Sequence, residues 1–354
     1  MARPPLRGAF VGYGNVASNG HAPGWRARGD VSIVAAAEPV AQQCGAFESA
    51  FPGARCYQTL DELLASETLD FIDLCTPPSS HLAMIDRALA AGVHVLSEKP
   101  LAISALDASA IAAAAGRAER VVHTVHNWLA APVCLKVSEL IDAGEIGDVV
   151  SVRWDTLRTG PAVTVGADAA GNWRLDPRTA GGGILVDHGW HALYCVAHWA
   201  GTPAVAVTGR LEVRRFTELA VEDTATVEIE FAQGRTGRVH LTWAAEERAN
   251  SVEVEGERGR IRIAGASVIL DGPSGERRWN CPPALSEGSH HPDRFERVAL
   301  EFTEAVAGRS RGNLDEAVLC ARLIDLARAS NAAGGARMAL DGPDAVRRLE
   351  AVEH

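Results

Sequence analysis

The sequence predicts an α/β domain followed by an α+β domain, and three observations carry that expectation. At 354 residues the chain exceeds what one hydrophobic core usually serves. Its first third alternates short apolar runs with helical stretches, which is the pattern of a parallel sheet with right-handed crossovers. Its middle third alternates apolar and polar residues with period two, the pattern of an antiparallel sheet with one outward face.

In chain order, Leu6 to Val11, Val31 to Ala37, Phe71 to Cys75, Val93 to Ser97 and Val121 to Val125 read as strands buried on both faces. Ala41 to Ala50, Leu60 to Ser66, Ser80 to Ala91 and Ser104 to Glu119 lie between them with helical periodicity. Pro132 opens a helix that carries Lys136 and closes at Gly144 and Gly147. Thr224 to Phe231, Arg238 to Trp243, Val252 to Glu255 and Arg260 to Ile263 then read as strands joined by short turns such as Gln233-Gly234. Phe295, Val298, Ala299, Phe302 and Val306 mark an amphipathic helix, and Asn313 with Glu316 predicts a capping box for the last one. The domains are expected at 1–125 and 126–354, with the C-terminal helices able to pack back on the first.

Composition narrows the function classes. A net charge of −11 repels phosphate backbones and anionic lipid surfaces, so no nucleic-acid or membrane partner is expected. No apolar stretch approaches the roughly 20 residues of a membrane helix, and the seven cysteines lack a C-x-x-C pair, which predicts reduced thiols in a cytoplasmic protein. Only Lys99 and Lys136 among 34 basic residues are lysine, which raises the question of what an ammonium does there that a guanidinium cannot.

The first buried run leads into Gly12-Tyr13-Gly14-Asn15-Val16-Ala17, a G-x-G-x-x-A turn, and the next strand ends at Glu38. That is the arrangement of a dinucleotide site. Gly12 permits the tight turn, Gly14 lets backbone approach a pyrophosphate, Ala17 allows close helix packing, and Glu38 accepts from ribose hydroxyls. A carboxylate there repels a 2′-phosphate, and no arginine follows closely, so NAD is expected over NADP. A tight turn with a solvated carboxylate is the plainer alternative.

The most specific signal is residues 70–102, DFIDLCTPPSSHLAMIDRALAAGVHVLSEKPLA. With G-x-G-x-x-A at 12–17, T-P-P-x-x-H at 76–81, A-G-x-H-V-L-x-E-K-P at 91–100 and G-G-G-x-L-x-D-x-G-x-H at 181–191, the chain resembles the Gfo/Idh/MocA family of oxidoreductases. The resemblance implies an N-terminal Rossmann domain, an open mixed sheet in the second domain and a homodimer or homotetramer formed through that sheet. It also implies a cis Lys99-Pro100 peptide and a cofactor site that includes Asn15, Val16, Thr76, Pro77, His81, Glu98 and Lys99. Lys99, Asp187 and His191 occupy the positions that line the reaction centre in the family.

The chemistry of these residue types agrees. Oxidising a secondary alcohol removes a hydroxyl proton as hydride leaves the same carbon, and a histidine suits that proton transfer. His191 is assigned this role, Asp187 orients the substrate or the imidazole from one helical turn away, and Lys99 donates to the developing alkoxide as a compact charge. His188 and His191 with Asp187 have a permissible metal spacing, but no thiolate or glutamate groups with them, and no metal is expected.

Two departures from the family pattern concern the substrate. The arginine of an Arg-Phe pair usual before the helix at 132 is absent, the segment reading His126-Asn127-Trp128-Leu129-Ala130-Ala131, and Trp190 replaces a smaller aliphatic. Trp128, Trp154, Trp173 and Trp190 are candidates for a flat wall against a sugar or cyclitol ring, with His126, Asn127, Arg158 and Arg174 as polar contacts; core packing of the tryptophans is the alternative. The expected activity is NAD-dependent oxidation of a polyhydroxylated compound. An NAD-dependent glycosidase working through transient oxidation and a non-catalytic dinucleotide sensor are the competing readings.

Overall fold

The computed structural model describes residues 4–162, 172–288 and 291–340. The chain divides into two compact units, residues 1–127 with 288–318 and residues 128–287 with 319–354.

The first unit begins with β1 (Leu6–Val11), α1 (Ala22–Arg26), β2 (Val31–Ala37), α2 (Ala41–Ala50), β3 (Arg55–Tyr57) and α3 (Leu60–Ser66). It continues with β4 (Phe71–Leu74), α4 (His81–Ala90), β5 (His94–Ser97), α5 (Ala105–Ala118) and β6 (Val122–Thr124). Among the described residues the six strands pair in the order β3-β2-β1-β4-β5-β6, all parallel. This is the doubly wound arrangement, in which the order reverses between β1 and β4 and ligands bind beyond the carboxyl ends of the strands. Gly8 lies under the Phe71 ring, where a Cβ would come within 2.2 Å of it. Thr59 and Ser104 cap α3 and α5 by accepting from Glu62 and Asp107 N–H groups.

Phe10, Trp25, Phe47, Phe71, Phe295 and Phe302 form the aromatic core of this unit. The two last belong to a helix far downstream, Pro292–Val306, which packs against α1. Gly24 permits that approach, since a Cβ there would lie 2.7 Å from Phe295.

The second unit contains α6 (Pro132–Asp142), β7 (Val149–Leu157), α7 (Pro177–Ala180), α8 (Ile184–Asp187), α9 (Gly189–Ala200) and β8 (Ala204–Glu212). There follow β9 (Thr224–Phe231), β10 (Thr236–Thr242), β11 (Ala249–Gly256), β12 (Gly259–Ala264), β13 (Ser267–Gly272), β14 (Gly275–Asn280) and β15 (Met338–Ala339). The strands form one sheet in the order β14-β13-β12-β11-β7-β10-β9-β8-β15. The pairing is antiparallel except between β10 and β7. Helix α9 is almost wholly buried over β7 and β10, and Gly237 allows it, a Cβ there meeting Val196 at 2.7 Å. The other face carries ion pairs such as Arg153–Glu253, Arg238–Asp155 and Arg260–Asp271. The downstream helices are α10 (Pro292–Val306) and α11 (Leu314–Ala332).

Asn313 donates to the Thr124 carbonyl at 2.7 Å and accepts from its N–H at 2.8 Å, and so ties its segment to β6. Two expectations need correcting. Cys44 and Cys56 are joined in a disulfide, their Cα atoms 5.9 Å apart, because β3, too short to be recognised in the sequence, returns beside α2. Asp187 and His191 do not share one helix: α8 ends at Asp187, His188 takes φ −103° and ψ −29°, and α9 starts anew at Gly189. The Lys99-Pro100 peptide is cis. No described helix is long and apolar enough to cross a membrane.

Candidate active-site residues

In the first unit the glycine-rich turn follows β1. Gly12 has φ +83°, and a Cβ there would meet Thr76 Cγ2 at 3.0 Å and the Cys75 carbonyl oxygen at 3.2 Å, so only glycine fits the close approach to the segment after β4. A Cβ at Gly14 would meet nothing within 4 Å, and this open stretch of backbone suits a pyrophosphate. Asn15 accepts from Asn19 at 2.7 Å, Val16 begins the helical segment, and Ala17 is fully buried. That segment opens as a π turn, Ala17–His21, before α1.

Glu38 follows β2 and is 4% exposed. One carboxylate oxygen accepts from Tyr13 N–H at 2.7 Å and the other from Val40 N–H at 2.8 Å. It therefore braces the glycine-rich turn, and each oxygen has a second lone pair for a ribose hydroxyl.

Thr76 accepts from Ser80 Oγ at 2.8 Å, and Pro77 leads into the turn that follows β4. His81 is fully buried, with Nε2 2.9 Å from the Thr76 carbonyl and Nδ1 3.2 Å from that of Leu101. Burial pushes its pKa down against the weaker pull of those carbonyls. His81 thus joins two turns, its ring nitrogens facing chain atoms. At the end of β5, Glu98 accepts from Lys99 N–H at 2.9 Å and lies 3.0 Å from His21 Nε2.

In the second unit, the G-G-G run has a steric origin. Gly181 and Gly182 take φ +86° and +155°, and a Cβ at Gly183 would sit 2.1 Å from the Glu222 carbonyl oxygen. Glu222 in turn accepts from the N–H groups of Gly183 and Leu185, which fixes the start of α8. Asp187 lies 3.8 Å from Arg174 and 3.2 Å from His188 Nδ1.

His191 stacks on Trp128, centroids 4.5 Å apart and planes 7° from parallel. Trp128 stacks on Trp154, and Trp154 on Trp199. Tyr194 Oη is 2.9 Å from His191 Nδ1 and accepts from Trp128 N–H at 2.9 Å, so one hydroxyl registers both members of the stack. Burial pushes the Tyr194 pKa well up, and the hydroxyl stays protonated. Tyr194 escaped the sequence reading, although its i, i+3 relation to His191 was the available signal.

The candidate substrate residues scatter. Trp154 and Trp190 are core residues, 0% and 1% exposed, and Trp128 is a member of the stack. Trp173 is half-buried under the Arg174 guanidinium, 4.7 Å from its centroid. Arg158 is buried and donates to the carbonyls of Leu157 and Ala249 and to Asn250 Oδ1, holding β7 to β11. Burial pushes its pKa down to about 10. His126 and Asn127 fall in the first unit, His126 buried with Nδ1 3.5 Å from Glu316 and Asn127 half-buried.

Comparison with known proteins agrees with this anatomy. Residues 6–126 match the oxidoreductase family with an NAD-binding Rossmann fold, and residues 134–262 match the GFO/IDH/MocA C-terminal domain. D-apiose dehydrogenase of Paraburkholderia graminis is 29% identical over 73% of this chain and 68% of its own length. D-xylose 1-dehydrogenase (NADP(+)) 2 of Haloferax volcanii is 27% identical over 80% of this chain and 85% of its own. The crystal structure of GenD2 from gentamicin A biosynthesis, in complex with NAD, superimposes with a TM-score of 0.80 at 28% identity, covering 96% of this chain and 97% of that one. The chain belongs to the Gfo/Idh/MocA family of NAD-binding oxidoreductases and is a dehydrogenase acting on CH–OH groups.

Proposed function

We propose that this enzyme oxidises a secondary alcohol of a sugar, cyclitol or related polyhydroxylated compound. The observation that carries the reading is the placement of Lys99 just beyond the carboxyl end of β5, on the edge of the parallel sheet where Gly12 follows β1 and Glu38 follows β2. The names of the apiose and xylose dehydrogenases support the substrate class.

Gly12, Gly14, Asn15, Val16 and Glu38 would hold NAD, which supplies the acceptor for the hydrogen and electron pair leaving the carbon. Lys99 donates from Nζ to the reacting oxygen and stabilises its developing charge. His191, with Nδ1 engaged by Tyr194, takes the hydroxyl proton at Nε2. Asp187, paired with Arg174 and beside His188, orients the substrate hydroxyls. Assembly into a homodimer or homotetramer through the outward face of the nine-stranded sheet belongs to the same reading, and light scattering of the purified protein tests it.

The decisive experiment follows absorbance at the NADH band while protein and NAD meet inositols, aldoses, ketoses and sugar acids. A rise with one group is expected and names the substrate class. A flat response across the panel, with NAD binding shown separately, would overturn the proposal.

A further inference from the structure

Within the first unit, a buried charged network lies behind the turn that bears Lys99. His21, in the π turn after the glycine-rich loop, is 2% exposed. Its Nδ1 lies 3.0 and 3.1 Å from the two Asp73 oxygens, and its Nε2 lies 3.0 Å from Glu98 Oε1. A carboxylate only accepts, so an imidazole flanked by two of them satisfies both only when each ring nitrogen carries a proton.

The surroundings fix this ring further. Trp25 Nε1 donates to Asp73 at 2.7 Å, Cys75 Sγ donates to the same carboxylate at 3.4 Å, and the imidazole stacks on Phe295 with centroids 3.9 Å apart. Glu98 uses its second oxygen to accept from Lys99 N–H. Burial alone would lower the pKa of His21, but the Asp73 carboxylate, with Cys75, outweighs it and holds the imidazole well above its usual range. Glu98 is likewise held below the usual carboxylate range, its burial outweighed by the hydrogen bond and charge of His21 and then by Lys99.

We propose that His21 is a positioning residue: clamped as an imidazolium between Asp73 and Glu98, it ties the turn after the glycine-rich loop to the Glu98-Lys99-Pro100 turn and fixes the peptide N–H beside which the Lys99 side chain departs. The proposal rests on the reading of Lys99 given above. His21, Asp73 and Cys75 also place one donor atom each within 4.8 Å of one another, a set that could hold a metal ion. The hydrogen-bonded network needs no ion, because each close pair joins a donor to an acceptor.

Two measurements test it. Nitrogen NMR of histidine-labelled wild-type protein should find both His21 ring nitrogens protonated at neutral pH, with no stoichiometric metal in the purified protein. A double-mutant cycle should show H21Q lowering kcat about tenfold while the Kd for NAD stays within about threefold, and H21Q adding little to K99M. If H21Q does not fold, E98Q takes its place in the cycle; its carboxamide still accepts from Lys99 N–H but no longer charge-pairs with His21. A singly protonated His21, a bound zinc or copper ion, or a loss of kcat that is the same with and without Lys99 overturns the proposal. Undiminished turnover by K99M alone would instead remove the role of Lys99 on which the proposal rests.

Discussion

The two units hold their candidate reactive side chains by opposite means. In the first, the backbone of Lys99 is anchored by Glu98, which is charge-paired to His21 and through it to Asp73, a network of ions within an apolar core. In the second, His191 lies on a ladder of tryptophans with its Nδ1 against the neutral Tyr194 hydroxyl. The contrast follows from what each site must fix. A charged clamp determines the position of a peptide group and keeps the direction of several hydrogen bonds, whereas aromatic stacking sets the plane of a ring.

Breaking the ladder should give the largest stability effect. Trp154→Ala removes a fully buried ring between Trp128 and Trp199 and should cost about 3–5 kcal/mol, measured from denaturant midpoints. A loss below about 1 kcal/mol would show that the ladder is not a structural unit. Tyr194→Phe is smaller and more pointed. It removes the acceptor of Trp128 N–H and the partner of His191 Nδ1, so we expect about 1–2 kcal/mol of stability and roughly tenfold in kcat.

Electrostatic predictions sharpen the other side of the contrast. His123, buried within β6, has neither ring nitrogen hydrogen-bonded among the described residues, and burial, then His126, pushes its pKa down to about 3. The unfolded chain takes up this proton near pH 6.5 while the folded protein does not, so the unfolded state binds more protons as pH falls below that value. Stability is full above about pH 6.5 and declines toward pH 3; His123→Leu should recover up to about 2 kcal/mol of the loss between pH 7 and 5. Equal pH sensitivity of variant and wild type would exclude His123 as a source. Glu38→Ser should weaken the preference for NAD over NADP by about tenfold, read from the two Kd values, and an unmoved ratio would remove Glu38 from cofactor choice.

Legibility in the sequence tracked distance along the chain. The parallel strands β1, β2, β4, β5 and β6 were readable because strands buried on both faces are near-continuous apolar runs. The three-residue β3 was not, and the Cys44–Cys56 disulfide it enables went unseen with it. Among the described residues β7 supplies the single parallel pairing of the second sheet, with β10, and nothing local distinguishes such a strand from an antiparallel one. Gly12 and Glu38 stand out by their spacing, and Lys99, Asp187 and His191 as candidates only through the family resemblance of their motifs. Their supports did not: His21 meets Asp73 across 52 residues and Glu98 across 77, and Trp128 meets Tyr194 across 66. Arg158, just after β7, meets the Ala249 carbonyl across 91 residues, a contact that nothing local in the sequence announces.

The central claim is that Lys99 acts on the reacting oxygen and not as an anchor for the cofactor. The most direct test compares Lys99→Met with the wild type in NAD affinity and in the rate of a single turnover. The account predicts a Kd for NAD within about threefold and a rate lower by about 10² or more. A rate that is unchanged, or a loss that appears wholly as weaker NAD binding, would contradict it.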